Sequence, residues 1–193
     1  MRERREEIMD AAVEIFACKG YYNTKIADIV EAVGIAKGTF YLYFKSKKAL
    51  FLALIKKQRD LIEEGINLKN IIEASNDLKS FVKILVREAF NIYGSNRNLT
   101  IVILRESVSV NEDFVGEFKL MDRERTERLK RAYEYLKEEG YIDLENDFEF
   151  FYYVFVGIIE SILLRKLIMN EEEFISEEII KKTSNYIEKA LTI

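Results

Sequence analysis

Residues 24–50 read TKIADIVEAVGIAKGTFYLYFKSKKAL, and the spacing of apolar residues within them decides the fold. Thr24 carries a hydroxyl able to cap the free amides of a first turn. Ile26, Ala27, Ile29, Val30 and Val33 follow as a stripe at helical spacing. Gly34 comes after the last apolar turn, where a left-handed residue closes a helix without a Cβ clash. Ile35 returns to the core, and a second helix is predicted over 36–44. Phe40 and Phe44, four apart, point inward. That leaves Lys37, Thr39, Tyr41 and Tyr43 outward or sideways, a face suited to a polyanion. Lysine and tyrosine hydroxyls reach phosphates, and threonine can hydrogen-bond base edges or touch a thymine methyl. The stretch therefore reads as helix, tight turn, second helix and the start of a third.

Working outward, residues 4–18 form an amphipathic helix with Ile8, Ala12, Ile15 and Phe16 on one face, closed by Gly20. Tyr21 or Tyr22 plugs the small core. Cys18 reads as a small packed or half-exposed residue. Ser46 caps a long helix over 47–65, with Leu50, Phe51, Leu54, Ile55, Leu61 and Ile62 inward.

These residues resemble the DNA-binding domain of the TetR (tetracycline repressor) family. The matching pieces are 8–16 with Gly20 and Tyr21, then Thr24, Ile26, Ala27 and Val30, then VGIAKGTFY over 33–41 with Tyr43 and Phe44, and Lys47, Lys48 and Leu50. Ala36 departs from the family's frequent Ser or Thr cap, and Lys48 from its common Glu, which adds positive charge. The resemblance implies an all-α chain of about nine helices, a sequence-specific regulator, usually a repressor. Its helix-turn-helix domain spans 1–48, and the linking helix of about 47–65 leads into an effector-binding and dimerisation domain over 49–193. It implies phosphate contacts from Thr24, Lys25, Tyr41, Tyr43 and Lys47, and base or groove contacts from Ala36, Lys37, Gly38 and Thr39. A solvated Lys47 is the alternative to the phosphate contact. Helices at 147–169 and 176–191 are implied to pair two copies, placing two recognition helices on a palindromic operator of double-stranded DNA. A small molecule in the body would release it.

Composition agrees with that division. Half of the 193 residues are hydrophobic and a third charged, ordinary for a soluble globular chain. There is no proline, so long helices go unbroken. Residues 1–60 hold 12 basic and 8 acidic side chains, a net +4 that leaves −8 for the remainder. An acidic protein can thus present one basic end to phosphates. One cysteine permits no internal disulfide and suits a reducing cytoplasm, and the charged N-terminus lacks a signal-peptide pattern. With no histidine the commonest general base and metal ligand is missing, no Ser-His or Cys-His pair exists, and no phosphate-binding glycine loop appears. The reading is a non-enzyme without cofactor or metal. A scaffold or membrane-surface protein using the basic end is the remaining class, distinguished by an absence of sequence-specific DNA binding.

In the body, 67–76 is a loop or short helix, 77–93 a helix, and 94–98 (GSNRN) a break. Residues 99–110 are apolar enough for a strand or a buried helix, and the helix is preferred because nothing nearby could pair with a strand. A long helix over 112–139 ends at Gly140. The most apolar helix begins at Asp147, and its charge-free run, 150–159, is half a membrane span. Gly157 inside it suggests a close helix approach. Ser176 caps the last helix. Aromatic walls suit a small apolar or aromatic effector, with Phe81, Phe90, Tyr93, Phe118, Tyr152 and Phe155 as candidate lining and Arg105 and Arg125 as polar anchors. The plainer reading of most of these aromatics, one by one, is core.

Overall fold

The computed structural model describes residues 2–107, 112–142, 147–170, 172 and 174–192. It is all-α, with no strand among the described residues, and none of its described helices is long and apolar enough to cross a membrane. The chain forms two compact units, one of Met1–Asp60 with Asn98–Lys119, the other of Leu61–Arg97 with Leu120–Ile193. The first therefore reaches beyond residues 1–48 to include most of the linking helix and a later segment.

In the first unit, α1 is Arg2–Lys19, α2 Ile26–Val33, α3 Lys37–Tyr43, and α4, Lys47–Gly65, starts here. The helix α7, Arg97–Ser107, and the first turn of α8, Val115–Glu138, also belong to it. The apolar 99–107 stretch is thus helical, and the rest of its predicted extent, 108–110, lies outside the described residues. The core is aromatic. Phe51 lies against Phe114 with ring centroids 4.4 Å apart, against Tyr21 at 4.9 Å and against Phe16 at 5.9 Å. Tyr21 also meets Phe114 at 5.1 Å and Phe16 at 5.5 Å, so one tyrosine ties the loop after α1 to the rings of Phe16, Phe51 and Phe114.

The second unit holds α5 (Leu68–Glu73), α6 (Leu78–Ser95), the rest of α8, α9 (148–169) and α10 (Glu177–Leu191). Asn67, Asp77, Asp147 and Ser176 cap α5, α6, α9 and α10, each side-chain oxygen accepting from an amide three residues on. The predicted break at 94–98 is narrower than expected. Gly94 and Ser95 stay helical, and the chain turns at Asn96 alone. Burial of Phe90 and its neighbours on α6 outweighs the roughly 1 kcal/mol that one glycine costs a helix. The helix α10 packs along α6.

Within α9, turns at Tyr153–Gly157 and Leu164–Met169 widen to π-helical geometry. Its inner face carries Phe151, Phe155, Ile159, Leu163 and Leu167, all buried. Phe151 meets Phe155 at 4.9 Å and Tyr133 of α8 at 5.3 Å. The outer face carries Phe150, Tyr153, Gly157, Ser161 and Leu164, all exposed. The close approach expected at Gly157 is absent within this chain, since a Cβ there would meet nothing within 4 Å.

Candidate nucleic-acid interface and body cavity

The turn before α2 is assembled from inside. Thr24 is 1% exposed, and its hydroxyl donates to the Gly20 carbonyl at 2.8 Å. It neither caps α2 nor offers a hydroxyl to phosphate, contrary to both expectations. The cap comes from Asp28, whose carboxylate accepts the Lys25 amide at 2.7 Å. That bond, helped by Lys19, holds the Asp28 carboxyl below its usual range. At the other end Gly34 takes φ 72°, and the Ile35 amide donates back to Val30 at 2.9 Å, closing the helix.

Lys47 also turns inward. Its Nζ donates to the carbonyls of Tyr21 at 2.6 Å and Thr24 at 2.7 Å, and it sits 4.3 Å from the Tyr21 ring centre. Burial lowers its pKa, while Glu106 and Asp28 pull the other way. Without DNA, Lys47 is not a plain solvated lysine: it fastens the loop between α1 and α2 onto α4. Ser46 does cap α4, accepting the Ala49 amide at 3.0 Å. Lys48 pairs with Asp113 at 2.8 Å, which offsets the charge that its place in the sequence seemed to add.

Phe40 and Phe44 anchor α3 in the core, and the Arg5 guanidinium lies 5.0 Å from the Phe44 ring. Ala36 lacks a side-chain cap bond, as its residue type implies. The anchoring leaves Lys37, Gly38, Tyr41 and Leu42 exposed on one side of α3, with Ala36 and Lys25 exposed just before α3 and α2. Thr39 and Tyr43 are half-exposed. Sequence reasoning passed over Leu42, at 78% the most exposed large apolar residue among the described ones. Its place between two tyrosines of the recognition helix was the available signal.

The second unit contains an apolar cavity of about 70 Å³. Of the residues expected around a ligand, Tyr93, Arg125 and Phe155 line it, and Tyr152 adjoins it through Arg125. Phe81 and Phe90 are packed into the core and do not line it. Arg105 and Phe118 belong to the other unit, where Arg105 donates to the Ala17 carbonyl at 2.5 Å. The rest of the wall is mainly aliphatic: Ile62 and Ile66 at the end of α4 and just beyond, Leu85 and Ala89 of α6, Leu129 of α8, Ile159 of α9.

Arg125 is fully engaged at the cavity's polar end. It binds Glu160, donates to Asp122 at 2.8 Å and to the Tyr152 hydroxyl at 3.1 Å. That hydroxyl donates to Asp122 at 2.5 Å. Burial works against the arginine's charge, but Glu160 and Asp122 more than restore it. Burial, with Asp122 beside it, raises the Tyr152 phenol. Among the described residues, no cluster of three or more acidic or thiol side chains could hold a metal.

Residues 8–54 match the family described as "Bacterial regulatory proteins, tetR family". The fatty acid metabolism regulator protein of Bacillus subtilis (strain 168) is 29% identical over 137 residues, which cover 67% of this chain and 70% of that one. The transcriptional regulator FadR from Bacillus subtilis, solved in complex with stearoyl-CoA, is 23% identical with a TM-score of 0.78, covering 97% of each chain. The fatty acid degradation regulator FadR from Bacillus halodurans superposes with the same score at 22% identity, over 97% of this chain and 93% of that one. With its helix-turn-helix carried on this all-helical fold, the protein belongs to the tetR family of bacterial regulatory proteins and is a transcriptional regulator rather than an enzyme.

Proposed function

We propose that this regulator represses transcription by binding a palindromic operator as a two-fold dimer, and that an acyl-chain effector in the second unit releases it. The observation that carries the operator reading is the exposed face of α3. Lys37, Gly38 and Thr39 offer base or groove contacts near Ala36. Lys25, Tyr41 and Tyr43 offer phosphate contacts, and Gly38 lets the backbone approach the groove. Thr24 and Lys47 act indirectly, by fixing the loop on which α2 stands.

The outer row of α9 supports the dimer. Phe150 is 55% exposed and Tyr153 59%, and Leu164 of the same helix and Tyr186 of α10 are also exposed. An exposed row that is apolar apart from Ser161 and opens around Gly157 fits a second copy of itself.

Two observations support the effector class. The cavity wall is aliphatic, and the similar Bacillus subtilis structure was solved with stearoyl-CoA. At about 70 Å³ the cavity is well below the roughly 300–1,000 Å³ usual for ligand pockets. An acyl chain must therefore spread the wall that Ile62 of α4 helps to form. The same helix packs Leu50 and Phe51 in the first unit, so spreading gives the effector different affinities for two head positions.

Selection of random duplex DNA by the purified protein tests the operator reading. One inverted repeat should be enriched, and Lys37→Ala and Tyr41→Ala should each lose or weaken it. Salt-sensitive binding without enrichment, indifferent to both changes, would refute the recognition-helix assignment.

A further inference from the structure

Phe40 and Phe44 are buried and fix which way α3 faces. At about 100° per residue, Leu42 lies about 180° from their mean direction and Gly38 about 140°. These two residues therefore occupy the line of α3 turned away from the core. Gly38 carries no side chain, so Leu42 is the group that projects furthest along that line. Tyr41 leans edge-on against Phe40 at 5.5 Å, whereas Leu42 is 78% exposed. A lone exposed leucine on an ordinary surface carries no message. This one sits among groups suited to a polyanion. Lys37 and Tyr41 are exposed on the same helix, and Lys37 and Lys45 make no ion pair among the described residues.

Gly38 adds an independent observation. A Cβ there would meet nothing within 4 Å, and its φ is not positive. The fold therefore does not require a glycine at this place, although glycine weakens a helix relative to alanine. What the missing side chain provides is close approach of the α3 backbone to something outside the chain. Leu42, one turn later on the same line, then reaches what α3 approaches.

The chemistry of leucine narrows the target. It neither donates nor accepts a hydrogen bond. Among the groups that base pairs show in the major groove, the apolar one is the C5-methyl of thymine. The other base edges present donors and acceptors, which a leucine would bury without partners.

We propose that Leu42 is a specificity-determining residue, packing against the C5-methyl of one thymine in each half-site while Gly38 brings α3 close to the groove. The assignment rests on the reading that α3 enters the major groove.

The test begins with selection of random duplex DNA by the full-length protein. Affinities are then measured for the enriched duplex with single thymines replaced by deoxyuridine, which keeps thymine's hydrogen-bonding groups and lacks only the methyl. One thymine per half-site should be sensitive, its replacement weakening binding about fourfold, and about fifteenfold when both half-sites are changed. Leu42→Ala should bind the unmodified duplex more weakly by at least as much, and should no longer distinguish thymine from uracil there. It should melt as the wild type does, since the side chain it shortens is exposed. Thr39→Ser, which removes a neighbouring methyl and keeps the hydroxyl, should retain the discrimination. If the discrimination is lost in Thr39→Ser and kept in Leu42→Ala, the methyl contact belongs to Thr39 and the proposal is overturned. It is equally overturned if no thymine is sensitive, or if Leu42→Ala loses affinity without changing the response to uracil. In these cases the α3 reading stands so long as Lys37→Ala and Tyr41→Ala still weaken the duplex. If no sequence is enriched, or if both of those variants bind as the wild type does, the α3 reading falls and this assignment falls with it.

Discussion

Lys47→Met separates a structural from a DNA-contacting lysine. The substitution keeps the aliphatic stem and removes the ammonium, which now donates to the carbonyls of Tyr21 at 2.6 Å and Thr24 at 2.7 Å. Hydrogen bonds to a charged group contribute about 1.5–3 kcal/mol each. Both carbonyls sit in a part-buried loop that water can partly reach, so the lower end applies, about 3 kcal/mol for the pair. Loss of the contact with the Tyr21 ring adds about 0.5–1 kcal/mol. A chain of this size loses about 2–4 °C of melting temperature per kcal/mol, so a fall of about 10 °C is expected. The first unit reports it directly, through thermal unfolding followed by circular dichroism or by exchange of the amides of α2. Operator affinity measured against salt gives the second axis. A lysine that neutralises a phosphate contributes about 0.9 to the slope of log K against log salt. Lys47→Met should leave that slope unchanged at temperatures where the variant is folded. An unchanged melting temperature together with a slope reduced by about 0.9 would refute the reasoning and return Lys47 to the DNA.

Two further outcomes concern buried polar groups. Gln58 on α4 is 1% exposed, and neither of its amide atoms has a hydrogen-bond partner among the described residues. An unsatisfied buried amide costs about 1–3 kcal/mol, so Gln58→Met should raise the urea midpoint, and a lower midpoint would contradict that accounting. The Tyr21 phenol is pushed up to about 12, first by burial and then by Asp113, Tyr22 and Glu106. Its neutral form is favoured in the fold, so its contribution to stability is complete below about pH 10 and lost as pH rises through 12. Stability of Tyr21→Phe should therefore decline less steeply than wild type across that window in urea titrations.

What could be read in the sequence was what chain punctuation and periodicity encode. Gly20, Gly34 and Gly140 all take positive φ where each helix was expected to stop. Ser46, Asp147 and Ser176 all cap the helices they precede. Phe40 and Phe44, four apart, are both buried and so orient α3. Contacts between segments distant in sequence were not legible. A lysine at a helix N-terminus looks available to solvent or phosphate until the loop carbonyls 26 and 23 residues earlier are placed over it. Thr24 fitted the pattern of a cap, but Lys25 with Asp28 met the amide demand one residue later. The cavity was hidden for a different reason. Its walls are Ile62, Leu85, Leu129 and Ile159, the same aliphatic types at the same helical spacing as ordinary core. The aromatic residues that seemed distinctive, Phe81 and Phe90, were the ones close packing claimed.

The charge of the first unit illustrates how folding changes what composition suggests. Eight basic residues lie in 20–59, and all eight meeting phosphates on both heads of a dimer would give a salt slope of about −14. The fold commits half of them elsewhere. Lys47 holds loop carbonyls, Lys48 pairs with Asp113, Lys57 with Glu6 and Asp10, and Arg59 with Glu117. Lys25, Lys37, Lys45 and Lys56 remain exposed and make no ion pair among the described residues. Their upper bound across two heads is about −7. A measured slope near −14 would mean that these ion pairs open on DNA and that the basic end acts as a general polyanion surface. A slope at or below the bound in magnitude, falling by about 1.8 when Lys37 is neutralised on both heads, ties affinity to the outward face of α3. That selectivity follows from the inward turn of Lys47 and the pairing of its neighbours: cations engaged within the head leave Lys37 on α3, with Lys25, Lys45 and Lys56 outside it, as the ones open to phosphate.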